Sequence, residues 1–129
     1  MDEKDRHEKG MARRRQVLGN EWVDRANAKK TPFNEEFQNL ITRYAWGEVW
    51  RRPHFDERTR RVLVIGTMIA LGQWDEFRLH VRAALAEGGF TEADIKEVIL
   101  QQAIYCGVPA ANHAFKEAAE VMAELAKAK

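Results

Sequence analysis

A single cysteine in 129 residues excludes a good deal of chemistry. Cys106 has no second thiol with which to form an intramolecular disulfide, a CxxC redox centre or a cysteine-rich zinc site, and a reducing, cytoplasmic setting fits such a chain. Proline is also scarce. The three prolines, Pro32, Pro53 and Pro109, are scattered and read as punctuation between helices. With no Ser/Gly/Pro-rich linker and no internal repeat, residues 1–129 read as one continuous domain. Neither sign of charge dominates: 21 Lys and Arg against 20 Asp and Glu leave a net charge of +1, so no global basic field exists to hold a nucleic acid. The longest nearly apolar run, Val62 to Leu71, is broken by Gly66 and Thr67 and falls well short of the roughly 20 residues of a membrane span. The opening MDEKDRHEKGMARRR has no apolar stretch of the kind a signal peptide carries. Neither nucleic acid nor membrane is expected as a partner. GxGxxG, P-loop, GxSxG and HExxH motifs are missing, which leaves nucleotide cofactors and the commoner hydrolase triads without support. His7 and His54 form no ligand-spaced cluster, and no metal site is expected.

What is present is 45% hydrophobic and 32% charged residues, an ordinary globular balance, with apolar residues recurring at spacings of three and four and no convincing polar–apolar alternation. The expected class is all-α, a bundle of about six helices with short connections. The first covers about residues 2–19 with a possible extension to Ala28. The second begins at Asn34, carries Phe37, Leu40, Ile41 and Tyr44 at helical spacing, and ends near Trp46-Gly47. The following stretch, WGEVWRRPHF, lacks periodicity and is rich in side chains that bind things. A third helix opens after Asp56 and is apolar on nearly every side in its second half, which suits a central helix or one buried between subunits. A fourth starts at Gln73 or Asp75 and stops at Gly88-Gly89. A fifth begins with a capping box at Thr91 and Asp94 and stops at Gly107. The sixth, about Ala110–Ala126, buries Ala111, Ala114, Phe115, Ala118, Val121, Met122 and Leu125.

Glu76 and His80 lie four residues apart, on one face of the fourth helix, with Phe77 and Ala84 beside the imidazole. A histidine against apolar groups with a carboxylate nearby suits proton transfer near neutral pH, although such pairs are also common on solvated helices. His113 falls in line with Glu117, Glu120 and Glu124 and reads as solvent-facing. Arg51, Arg52, Arg58, Arg60 and Arg61 place five guanidinium groups within eleven residues, close in sequence to Trp46 and Trp50. Such a cluster suits a small organic anion, or equally a solvated arginine patch. Tyr44 and Tyr105 are hydrogen-bond donors available to the same cavity.

Taken jointly, RYAWGEVWRRP, ERTRRVLVIGTMIALGQWDEFRLHVRAAL and ILQQAIYCGVPAANHAF, with GMARRRQVLG and EWVDRA before them, resemble the carboxymuconolactone decarboxylases of the alkylhydroperoxidase D-like superfamily from about Asp5 to Met122. The peroxidases of that superfamily carry CxxC followed by histidine. With the histidine matched to His80, Gln73 and Glu76 stand where the cysteines would be, and Arg61 where the peroxidases have a relay glutamate. Thiol peroxidase chemistry is thereby excluded by residue type. The resemblance implies cofactor-free loss of carbon dioxide from a small dicarboxylate lactone, within protocatechuate breakdown, by a homo-oligomer that is a hexamer in most of the family. It implies His80 as proton donor or oxyanion partner, Glu76 orienting it, Arg51, Arg58 and Arg61 as carboxylate anchors, and Tyr44, Trp46, Trp50 and Tyr105 as substrate-contacting walls. A lactone hydrolase or isomerase of the same fold, and a non-catalytic helical assembly module, are the alternative readings.

Overall fold

The structure, a computed structural model, describes residues 1–128, and among them it is helical without strands. The helices fall into two compact units, Met1–Glu57 and a second beginning at Arg58.

In the first unit, α1 (Glu3–Leu18) is capped by the Asp2 side chain, which accepts from the Asp5 amide at 2.8 Å, with Glu3 and Asp5 against the positive end of the helix. The helix stops at Gly19, the nearer of the two ends the sequence offered, because a φ of +92° cannot continue it; residues up to Ala28 form a separate helix, α2 (Asn20–Ala28), that starts afresh from the same glycine. An Arg15–Asp24 ion pair at 2.8 Å ties the two together. Asn34 stands at the N-cap of α3 (Glu35–Ile41), but its side chain accepts from the Thr31 amide and closes the preceding turn instead. The second helix does not stop at Trp46-Gly47: it widens into a π-helical segment, Thr42–Val49, so the first four residues of the ten-residue stretch expected to be irregular are wound. Glycine explains how that segment packs. Cβ atoms added at Gly10 of α1 or Gly47 would lie 2.0 Å from the Thr42 carbonyl oxygen and 2.5 Å from the Arg6 carbonyl oxygen, respectively, so two backbones meet where neither can carry a side chain.

The second unit comprises α4 (Glu57–Leu71, from Arg58 onward), α5 (Trp74–Ala86), α6 (Glu92–Cys106) and α7 (Val108–Lys127). Ile65 and Ile69 of α4, Phe77 and Val81 of α5, Ile95 and Ile99 of α6 and Ala114 and Val121 of α7 share one core. Each large aliphatic or aromatic side chain there contributes about 1.5–3 kcal/mol by leaving water. Alanines at 111, 114 and 118 let α7 approach closely. Phe115, expected in the core, is 40% exposed because those alanines occupy the buried face. The capping box forms as expected, Asp94 N donating to Thr91 Oγ1 at 3.2 Å and Thr91 N to Asp94 Oδ2 at 2.8 Å. Gly107, at φ +97°, turns the chain from α6 into α7. Arg78 of α5 donates to Glu117, Glu120 and Glu124 on α7 at 2.6–2.7 Å. Among the described residues, seven α-helices and the π-helical segment therefore stand where about six helices were expected, residues 20–28 forming a helix of their own and the second helix changing to π-helical winding.

Candidate active site

In the second unit His80 sits in the middle of α5 with only 7% of its surface exposed. Burial is the chief cause that lowers its pKa to about 4, and the positive charge of Arg61 adds to it. The imidazole is therefore neutral at pH 7. Its Nδ1 is buried without a hydrogen-bond partner, and its Nε2 lies 3.7 Å from Glu76 Oε2, beyond hydrogen-bond range. Glu76 is more than half exposed, so solvent screens it and it does not hold His80 as an imidazolium. The face shared by Glu76 and His80 is as the spacing predicts. The electrostatic balance is set by burial and Arg61 instead, which helical spacing alone does not reveal.

Arg61 is 1% exposed, an unusual burial for a guanidinium. Arg58, three residues earlier on α4, is by contrast half exposed, pairs with Asp94 at 2.8 Å and lies 4.4 Å from the centre of the Phe90 ring. Hydrogen bonding from the Thr91 backbone, then from Arg58, holds Asp94 below the usual carboxylate range. A groove of about 660 Å³ runs along α4 and α6 past Arg58, Leu63, Thr67, Phe90, Asp94 and Gln102; His80 and Glu76 do not line it. Tyr105, near the end of α6, is 77% exposed. His113 is exposed as expected, yet it stacks on Trp74 at 4.1 Å between ring centres and meets Glu117 at 3.2 Å.

In the first unit the π-helical segment buries Trp46, which stacks on Trp50 at 5.0 Å. Tyr44 is partly exposed and its hydroxyl donates to Glu3 at 2.9 Å. Arg51 Nη1 donates to the Gly47 carbonyl at 3.1 Å, and Arg13 to that of Trp50 at 3.0 Å, so the turn after the segment is held by guanidinium groups. The sequence-predicted residues thus divide into two sets: Tyr44, Trp46, Trp50 and Arg51 in the first unit, and Arg58, Arg61, Glu76, His80 and Tyr105 in the second. Among the described residues no three His, Cys, Asp or Glu side chains converge as metal ligands would, and no helix is long and apolar enough to cross a membrane.

Known proteins resemble the chain along most of its length. The 4-carboxymuconolactone decarboxylase of Acinetobacter baylyi is 42% identical over 125 residues, covering 97% of this chain and 92% of that one. A nitrosuccinic acid decarboxylase of Metarhizium robertsii is 43% identical over 102 residues, covering 79% of this chain and 71% of its own. A 4-carboxymuconolactone decarboxylase of Pseudomonas putida is 54% identical over 48 residues, which are 37% of this chain and all of that sequence. Residues 35–120, from α3 to the last third of α7, match the Carboxymuconolactone decarboxylase family, and the chain belongs to it.

Proposed function

We propose that this protein decarboxylates 4-carboxymuconolactone to 3-oxoadipate enol-lactone, a step of protocatechuate catabolism, without a cofactor. The bond between the ring carbon and its carboxylate breaks, carbon dioxide leaves, and the electron pair moves through the ring C=C onto the lactone oxygen. The resulting dienolate takes one proton on the carbon next to the lactone carbonyl. Because the substrate supplies this electron sink, the protein's task is to stabilise a developing oxyanion and deliver a proton.

The observation that carries the reading is the buried, neutral His80 with an unpartnered Nδ1. An unsatisfied buried nitrogen costs about 1–3 kcal/mol, a cost removed when a ligand oxygen accepts its N–H. His80 serves as a neutral hydrogen-bond donor to the lactone oxygen rather than as an imidazolium acid. The charge of buried Arg61 favours the same anionic state. Glu76, more than half exposed with its carboxylate 3.7 Å from His80 Nε2, is assigned the delivery of the proton. By the family resemblance Arg58 and, in the first unit, Arg51 serve as carboxylate anchors, with Tyr44, Trp46, Trp50 and Tyr105 as substrate-contacting residues.

The relative that acts on nitrosuccinic acid makes that compound the natural competing substrate, but the match to the carboxymuconolactone enzyme covers more of both chains. The protein works in the cytoplasm as a homo-oligomer, a hexamer by family resemblance. Ile104 and Tyr105, each more than three-quarters exposed, support an assembly that covers them. Incubation with 4-carboxymuconolactone, coupled to the enol-lactone hydrolase of the pathway, tests the proposal. Stoichiometric carbon dioxide and enol-lactone support it; turnover of nitrosuccinate alone, or lactone opening without carbon dioxide, overturns it.

A further inference from the structure

The paired glycines that end α5 do different jobs. Gly89 has φ +71° and nothing within 4 Å of where a Cβ would stand, so it is glycine for its conformation. Gly88 has no positive φ, yet a Cβ there would lie 2.6 Å from Arg61 Nε and 2.9 Å from Arg61 Cδ and Cζ. It is glycine for space, and the space is filled by the Arg61 guanidinium.

Spacing connects this space to the candidate site. Gly88 lies two residues past the end of α5, but its amide still donates to the Ala84 carbonyl at 3.1 Å, so His80, Ala84 and Gly88, at intervals of four, keep the succession of an imidazole, a methyl group and a bare backbone. Ala84 is fully buried and leaves little bulk between the other two. A buried arginine seated at Gly88 is held along that side rather than free to swing into solvent, and it carries the positive charge that reaches His80.

We propose that Gly88 is a positioning residue for the decarboxylation: its missing side chain is the seat that fixes the Arg61 guanidinium where its charge acts on His80 and on the anion His80 binds. The inference rests on the reading of His80 as the oxyanion partner. A side chain at position 88 pushes the guanidinium away by roughly half to one ångström, the shift that restores ordinary contact, weakening the field at His80 without touching the imidazole itself.

Burial first and then Arg61 on α4 lower the His80 pKa, Glu76 on its own helix being screened by solvent, and NMR separates the charge from the packing. The His80 resonance is assigned by its loss in His80→Gln and titrated in the wild type, Gly88→Ala, Arg61→Met and the double variant. In Gly88→Ala the His80 pKa is expected to rise by about half to one unit, remaining below 6.5 because burial persists, while kcat falls by about tenfold. Arg61→Met is expected to give at least as large a rise, and Gly88→Ala no further change in that background. An unchanged His80 titration in Gly88→Ala, or equal shifts with and without Arg61, overturns the proposal. If Gly88→Ala does not fold, Arg61→Lys, which keeps the charge but not the guanidinium seated at Gly88, carries the comparison: a raised His80 pKa supports the proposal and an unmoved one overturns it. A shifted titration with normal turnover in His80→Gln would instead overturn the role of His80 and leave the seat intact.

Discussion

Gly10 and Gly47 bring α1 and the π-helical segment into backbone contact: a Cβ on Gly10 would stand 2.0 Å from the Thr42 carbonyl oxygen and 2.9 Å from the Gly47 amide nitrogen. Those two groups lie five residues apart, the spacing of a π-helical hydrogen bond, so α1 presses on the turn that distinguishes the segment from an α-helix. Gly10→Ala is therefore expected to destabilise the first unit by about 2–4 kcal/mol, because backbone, unlike a flexible side chain, cannot yield. Urea unfolding followed by tryptophan fluorescence measures this, since Trp46 and Trp50 belong to the segment and its cap. A loss below about 0.5 kcal/mol would show that the crossing relaxes freely.

Substituting His80 separates its two nitrogens. Asparagine places an amide near Nδ1, the enclosed atom, whereas glutamine places one near Nε2, which faces Glu76. Both variants are expected to lower kcat by about 10²–10⁴ with modest change in KM, and His80→Asn should retain the larger share. Near-native rates in His80→Ala would move the chemistry to Tyr44 or Tyr105.

Stability should depend on pH through His80. Its pKa is about 4 when folded and near 6.5 when unfolded, so the unfolded chain takes up the proton first as pH falls. The stabilisation from keeping His80 neutral is complete above 6.5, declines between 6.5 and 4, and amounts to about 3 kcal/mol. Denaturant titrations at pH 7 and pH 4.5 should show a smaller loss in His80→Gln than in the wild type.

The arginines should divide by burial. Arg51→Ala and Arg58→Ala, at partly exposed positions, are expected to raise KM about tenfold with kcat nearly unchanged, if each anchors the spectator carboxylate. Arg61→Ala should lower kcat as well, because its charge reaches His80. Cys106→Ser should retain most of the rate: the thiol is only approached by Gln102 Nε2 at 3.7 Å and has no part in the proposed steps.

The helices were legible where local chemistry decides them. The capping box at Thr91 and Asp94, the stop at Gly107 and the shared face of Glu76 and His80 all follow from spacing, and all are present. The stop at Gly19 was legible as one end of the first helix, but neither the fresh start of α2 there nor the π-helical segment was, since glycine within a helical pattern signals a break, a close approach or neither until the partner backbone is known. The same ambiguity hid Gly88, which reads as half of a helix stop. The neutrality of His80 escaped too, because it arises from burial and from Arg61, nineteen residues away in sequence. Phe115 shows the converse failure: periodicity assigned it to the core, but three alanines fill the buried face of α7.

The pH dependence of carbon dioxide release from 4-carboxymuconolactone bears most directly on neutral His80 as the oxyanion partner. With His80 already neutral in the free protein, kcat/KM should be level from about pH 5.5 to 8 and fall only toward pH 4, as the imidazole takes a proton and ceases to match the enclosed site. A kcat/KM that instead rises as pH drops through 7, with a limb near the ordinary histidine value, would mean that an imidazolium does the work and would contradict this mechanism.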